Sequence, residues 1–149
     1  MLSQRRSVFR VCILCLCILT GSALASSSHQ QRNTFLQAEK QLWKPGSSRY
    51  QELYNQLHFY PLQPYLDQRR LMHKLRLSKA KEIDEFLDKY KGTPLDWPLR
   101  KKWLTYLAKR NRQSLFIEFY QPTSDATLTC HYLNFQFLII DLYLSRFLS

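Results

Sequence analysis

Apolar residues recur along this chain with the period of amphipathic helices, and proline and glycine interrupt the pattern where turns are needed. The first such stretch, from about Gln30 to Trp43, sets Phe35, Leu36, Leu42 and Trp43 on one face and is ended by Pro45-Gly46. Ser48 with Gln51 resembles a capping box for a second helix that faces inward with Tyr50, Leu53, Tyr54 and Leu57. That helix stops at Tyr60-Pro61-Leu62-Gln63-Pro64, where two prolines three residues apart fix φ and remove two N–H donors. Pro64 opens a third helix, to about Leu75, with Tyr65, Leu66 and Met72 inward and Asp67, Arg69, Arg70 and Lys74 toward water.

Ser78 is the expected N-cap of a fourth helix, whose apolar face is Ala80, Ile83, Phe86, Leu87 and Tyr90 and whose stop is Gly92. Its acidic residues, Glu82, Asp84, Glu85 and Asp88, read as a solvated face paired with Lys79, Lys81 and Lys89 rather than as a catalytic cluster. A fifth helix, from about Trp97 to Arg110, buries Leu99, Trp103, Leu104 and Leu107. A shorter sixth holds Leu115, Phe116 and Phe119 and is closed by Pro122. Asp125 or Ser124 caps a seventh that presents Cys130, Leu133 and Phe137. Short helices joined by short turns predict an all-α fold of stacked antiparallel pairs, the start of an α-superhelix. A compact helical bundle is the alternative arrangement.

The two ends differ from this pattern. Arg5, Arg6 and Arg10 precede an apolar run, Val11 to Leu19, and Ala23-Leu24-Ala25 supplies a small-residue cleavage site. Residues 1–25 thus have the form of a secretory signal peptide, with a retained membrane anchor as the competing reading. Leu16 before Cys17 argues against a lipoprotein. The helical region is expected over 26–137. Residues 138–149 are apolar on nearly every side, and such a chain end predicts aggregation and an aberrant C-terminus.

The 22 basic and 11 acidic residues give a net charge of +11, and losing Arg5, Arg6 and Arg10 leaves the remainder at +8. In an exported protein this charge favours an anionic wall polymer or lipid headgroups over nucleic acid, against a generally solvated basic surface. Arg69, Arg70, Lys74, Arg76 and Arg100-Lys101-Lys102 are the basic candidates for such contact. Export removes Cys12, Cys15 and Cys17, so Cys130 becomes an odd cysteine. His29, His58, His73 and His131 are scattered, with no metal-ligand spacing. No nucleophile–base pair or phosphate loop is present. No catalytic, cofactor-binding or metal residue, and no cofactor, is therefore assigned, and the sequence leaves the oligomeric state open.

One resemblance emerges from these residues. The export signal, Tyr60-Pro61-Leu62-Gln63-Pro64-Tyr65-Leu66-Asp67, Leu104-Thr105-Tyr106-Leu107-Ala108-Lys109-Arg110, Phe119-Tyr120-Gln121-Pro122 and Cys130-His131-Tyr132 occur in an order that resembles the N-terminal region of the soluble lytic murein transglycosylases. The resemblance covers about residues 30 to 137. It implies a periplasmic protein, a U-shaped helical superhelix and peptidoglycan as partner. In that family a C-terminal lysozyme-like domain cleaves the glycan with one glutamic acid, leaving a 1,6-anhydromuramoyl end. The family's glutamate is followed by serine, with Gly-Leu-Met-Gln later. None of Glu39, Glu52, Glu82, Glu85 and Glu118 is followed by serine, and Gly-Leu-Met-Gln does not occur. The resemblance therefore implies a truncated, inactive fragment, with a disulfide partner for Cys130 beyond its end. The alternative is a complete small periplasmic helical binding protein.

Overall fold

The computed structural model describes residues 28–147. The expected signal peptide, with Cys12, Cys15 and Cys17, lies outside them. Every regular element among the described residues is helical, so the fold is all-α. In chain order these are α1 (28–40), α2 (Ser48–Gln56), α3 (Gln63–His73), a 3₁₀ turn (Leu77–Lys79), α4 (Ala80–Lys89), α5 (Asp96–Lys109), α6 (Gln113–Phe119) and α7 (Ala126–Phe147). The chain divides into two compact units, Met1–Leu66 and Asp67–Ser149, and the division falls inside α3.

The first unit closes on Ala38, Tyr50, Leu53, Leu57 and Leu66, with Phe35, Leu42, Tyr54 and Tyr60 packed against them. α1 ends at residue 40 and unwinds through successive turns, so Pro45-Gly46 follows the helix stop instead of causing it. Its inward positions are Thr34 and Ala38; Leu36 and Trp43, expected inside, are exposed. The α2 cap is Ser47, one residue before the expected Ser48: its hydroxyl accepts from the Tyr50 N–H at 3.2 Å, while the Gln51 amide reaches back to Pro45 O at 2.7 Å.

The Tyr60–Pro64 corner is a run of three-residue turns: Tyr60 N donates to Leu57 O, Gln63 N to Tyr60 O and Tyr65 N to Leu62 O. With its amide oriented to place the NH2 toward α2, the Gln63 side chain reaches the His58 and Leu57 carbonyls at 3.2 and 3.3 Å, near the end of that helix. Tyr60 packs on Phe35 with ring centroids 5.7 Å apart, and Leu66 is fully buried. Tyr65, expected inside, is exposed, because the turn of α3 that buries Leu66 and Gln68 carries Tyr65 outward.

The second unit has a larger core built on Leu99, Trp103, Leu104 and Leu107 of α5, as the periodicity predicts. Ile83, Phe86 and Leu87 of α4, Phe116 and Phe119 of α6, and Leu128 and Phe135 of α7 complete it. Trp103 is fully buried, stacked on Tyr106 at 5.2 Å and edge-on to Phe119 at 5.8 Å. Ser78 does not cap α4, which is entered from the 3₁₀ turn without a side-chain cap. Arg70 is half-buried rather than free in water: it pairs with Glu82 of α4 and with Asp67. Of the expected lysine pairs on α4, Lys81–Glu85 forms, at 3.9 Å and exposed.

Arg100 overturns the expectation for its basic triplet most clearly. It is 5 % exposed and ion-paired through Nε to Asp96 Oδ1 at 2.7 Å. Its Nη1 donates to Phe119 O, the last residue of α6, at 2.9 Å. The other Asp96 oxygen accepts from Gly92 N–H at 3.1 Å. Gly92 has φ +73°, where a side chain would strain the backbone, so this glycine turns the chain after α4 and offers its N–H to α5 at once. At its far end, α5 stops with Asn111 at φ +51°, Asn111 N bonded to Ala108 O and Arg112 N to Leu107 O, the double-bond helix stop of a Schellman motif.

α7 differs from expectation in its inward face and its length. Its buried line is Leu128 and Phe135, whereas Cys130, Leu133 and Phe137 are exposed. The helix continues through 138 without a break to Phe147. Among the described residues, no helix is long and apolar enough to cross a membrane.

Replacing Arg100 by Met strands a buried carboxylate and the Phe119 carbonyl, and is expected to cost about 3–5 kcal/mol. The double variant Asp96→Leu/Arg100→Met removes both charges and should recover part of that loss. Urea unfolding of both variants reads the difference; equal stability of the single variant and the native chain would refute the role given to Arg100.

Candidate functional site, a lysine-rimmed groove along α5

Within the second unit, a groove of about 520 Å³ runs beside α5. Met72 from the end of α3, Leu75 from the segment that follows it and Pro98 from the first turn of α5 supply its apolar lining. Lys101, Lys102, Thr105, Tyr106 and Lys109 follow along α5 at the spacing that keeps residues on one helix face. From Lys102 to Lys109 this face extends about 10 Å along the axis. Pro98 tolerates its place because the first helical turn needs no N–H donor there.

The three lysines have different roles. Lys101 Nζ pairs with Asp125 Oδ2 at 2.8 Å and so fastens the groove wall to the start of α7. Lys102 and Lys109 are exposed and make no ion pair among the described residues. Thr105 donates its hydroxyl proton to Lys101 O at 2.8 Å and keeps its lone pairs as acceptors. Tyr106 is held by Trp103 at 5.2 Å and by the Arg110 guanidinium 4.6 Å from its ring centre. The arrangement is an apolar trough with two uncommitted ammonium groups on its rim. It suits an extended ligand that carries carboxylates on an apolar or sugar body, and it offers hydrogen-bond donors but no nucleophile–base pair.

The basic candidates from the sequence separate accordingly. Lys101 and Lys102 line the groove. Arg100, next to them in the chain, is turned about 100° away and is buried. Arg69 and Arg70 are engaged with neighbours. Lys74 and Arg76 are exposed and do not line the groove. Sequence reasoning missed Lys109, Met72 and Leu75 as partners of Lys102. The Lys102–Lys109 spacing was a readable signal for the first, but Met72 and Leu75 join only through tertiary packing.

Asp125 fills two positions at once. Its Oδ1 accepts from Leu128 N–H at 3.2 Å, which makes Asp125 rather than Ser124 the α7 cap of the two the sequence offers, and its Oδ2 meets Lys101. The hydrogen bond from Lys101, then the Leu128 N–H, hold its carboxyl below the ordinary carboxylate range. Among the described residues, no group of three or more His, Cys, Asp or Glu side chains is placed to hold a metal ion, and Cys130 is a free, exposed thiol. No family model, no curated protein and no solved structure matches this chain.

Because the folded carboxyl of Asp125 titrates below its unfolded counterpart, its stabilising contribution is full above about pH 4 and is lost as pH falls through the folded value. The Asp125→Ala variant should therefore melt lower than the native chain at pH 7, and the gap should narrow on acidification below about pH 4. A gap that stays constant across that range in thermal scans would exclude an ionised cap.

Proposed function

We propose that this chain is an exported, non-catalytic helical module of the lytic murein transglycosylase type that holds peptidoglycan in the periplasm. Lys102 and Lys109 carry this reading: they stand uncommitted on the rim of an apolar groove, spaced along one face of α5. Peptidoglycan is an extended sugar polymer bearing carboxylates, the ligand chemistry that such a rim and trough favour. Three further observations support the family reading. The fold is all-α. The YPL-x-PYL corner forms a tight joint between α2 and α3 with Tyr60 and Leu66 packed. The Leu104–Arg110 phrase lies along the groove through Thr105, Tyr106 and Lys109. Stacking of the helix pairs into a superhelix is part of the proposal. In this reading the chain positions glycan, and cleavage belongs to a lysozyme-like domain of the kind the family carries.

A second reading, a small periplasmic helical binding protein unrelated to that family, is favoured by the groove itself, which needs no kinship to bind an anionic ligand. The two readings share the groove and differ in ancestry.

Sedimentation with purified murein sacculi tests the binding. The native chain should co-sediment, and binding should weaken as salt shortens the Debye length from about 10 Å at 0.1 M to about 3 Å at 1 M. The Lys102→Glu/Lys109→Glu variant should remain in the supernatant while its thermal transition is unchanged. Binding that ignores both salt and the charge reversal would refute the groove as the site. In a murein zymogram the chain alone should leave no cleared band, and clearing would overturn the non-catalytic assignment.

A further inference from the structure

The outward side of α7 carries a feature that the groove does not use. Cys130, Leu133, Phe137, Ile140 and Leu144 are all exposed, and they follow one another at intervals of three, four, three and four residues. This is the a/d spacing of a heptad seam, and it lies on the side of the helix opposite Leu128 and Phe135, which enter the core. Leu133, Phe137, Ile140 and Leu144 keep 48, 70, 53 and 55 % of their surface in water.

We infer that this seam pairs with the α7 seam of a second copy of the chain, making a two-helix interface. The spacing argues for a helix as occupant: a 3–4 repeat matches a partner of the same period, whose a and d side chains enter the holes between its own. The flanks argue against a lipid surface. An interfacial helix carries lysine and arginine along its polar face, whereas the residues beside this seam are Asn134, Gln136, Asp141 and Tyr143. They argue for a second copy as well. The whole chain carries +11, yet α7 holds one acid, Asp141, and one base, Arg146, so two copies meet here with little repulsion. Seating the seam and Tyr143 against a partner removes about 500 Å² per copy from water, about 1,000 Å² in total, the threshold a biological interface must reach and the size of a weak, reversible dimer.

Analytical ultracentrifugation of the full chain over a range of concentrations reads the association. The native chain should sediment as a dimer. Phe137→Asp and Ile140→Asp should each give monomer with at least a tenfold weaker self-affinity, and far-UV circular dichroism should show their helix content retained. Leu138→Asp removes an exposed leucine of the same helix that lies off the seam, and it should leave the dimer intact. Monomer in the native chain, a dimer that survives Phe137→Asp, or higher aggregates that Phe137→Asp and Leu138→Asp relieve equally would each overturn the inference.

Discussion

The second unit depends on one buried ion pair. Arg100 and Asp96 sit one turn apart on α5, and together they reach the turn after α4 through Gly92 N–H and the end of α6 through Phe119 O. Two charges out of water are costly by themselves, and their attraction offsets that cost only when the remaining donors and acceptors are also satisfied. Here both carboxylate oxygens and two guanidinium nitrogens have partners. The consequence is geometric as much as energetic. The pair fixes the rotation of α5 about its axis relative to α4 and α6. That rotation sends Leu99, Trp103 and Leu107 inward and leaves Lys102 and Lys109 on the outside.

The groove follows from this placement. A helix shows a core on one face only if its other faces carry something water accepts. α5 uses its outer face for lysines and for Thr105, while Met72, in the last turn of α3, and Leu75, just beyond it, supply the apolar wall. Lys101 then ties the wall to Asp125, the residue that starts α7. Core, groove and cap are consecutive uses of the faces of one helix, and the function proposed for the chain rests on the face left over once packing is satisfied.

α7 shows the same division in a longer helix. Its first half packs inward through Leu128 and Phe135, with Tyr132 stacked on Tyr120 at 4.0 Å. Its outer side is apolar too, which explains why the sequence shows little amphipathic contrast there. A stretch that is apolar all round has no single face to reveal, so its period had to be separated into an inner and an outer line by the structure. The apolar stretch from 138 through Phe147 continues α7 as one helix.

The sequence by itself determined the all-α class, the number and order of the helices among the described residues, the core faces of α4, α5 and α6, the joint at Tyr60–Pro64 and an α7 cap at Ser124 or Asp125. These follow from local rules: the 3.6-residue period, proline and glycine punctuation, and capping hydrogen bonds within four residues. Tertiary structure decided what local rules do not reach. Arg100 reads as a surface base in Arg100-Lys101-Lys102 until Phe119, nineteen residues away, supplies a carbonyl for it to donate to. Tyr65, Leu36 and Trp43 read as core residues, but the helices that bury Leu66 and Ala38 turn Tyr65 and Leu36 outward, and Trp43 lies in the exposed turns that follow α1. The groove exists only because residues from α3 and α5 meet, and its binding chemistry comes from which lysines find an internal partner and which do not. Periodicity can rank the faces of a helix by polarity. Only the neighbours that pack against it decide which charges are consumed inside and which remain free to act.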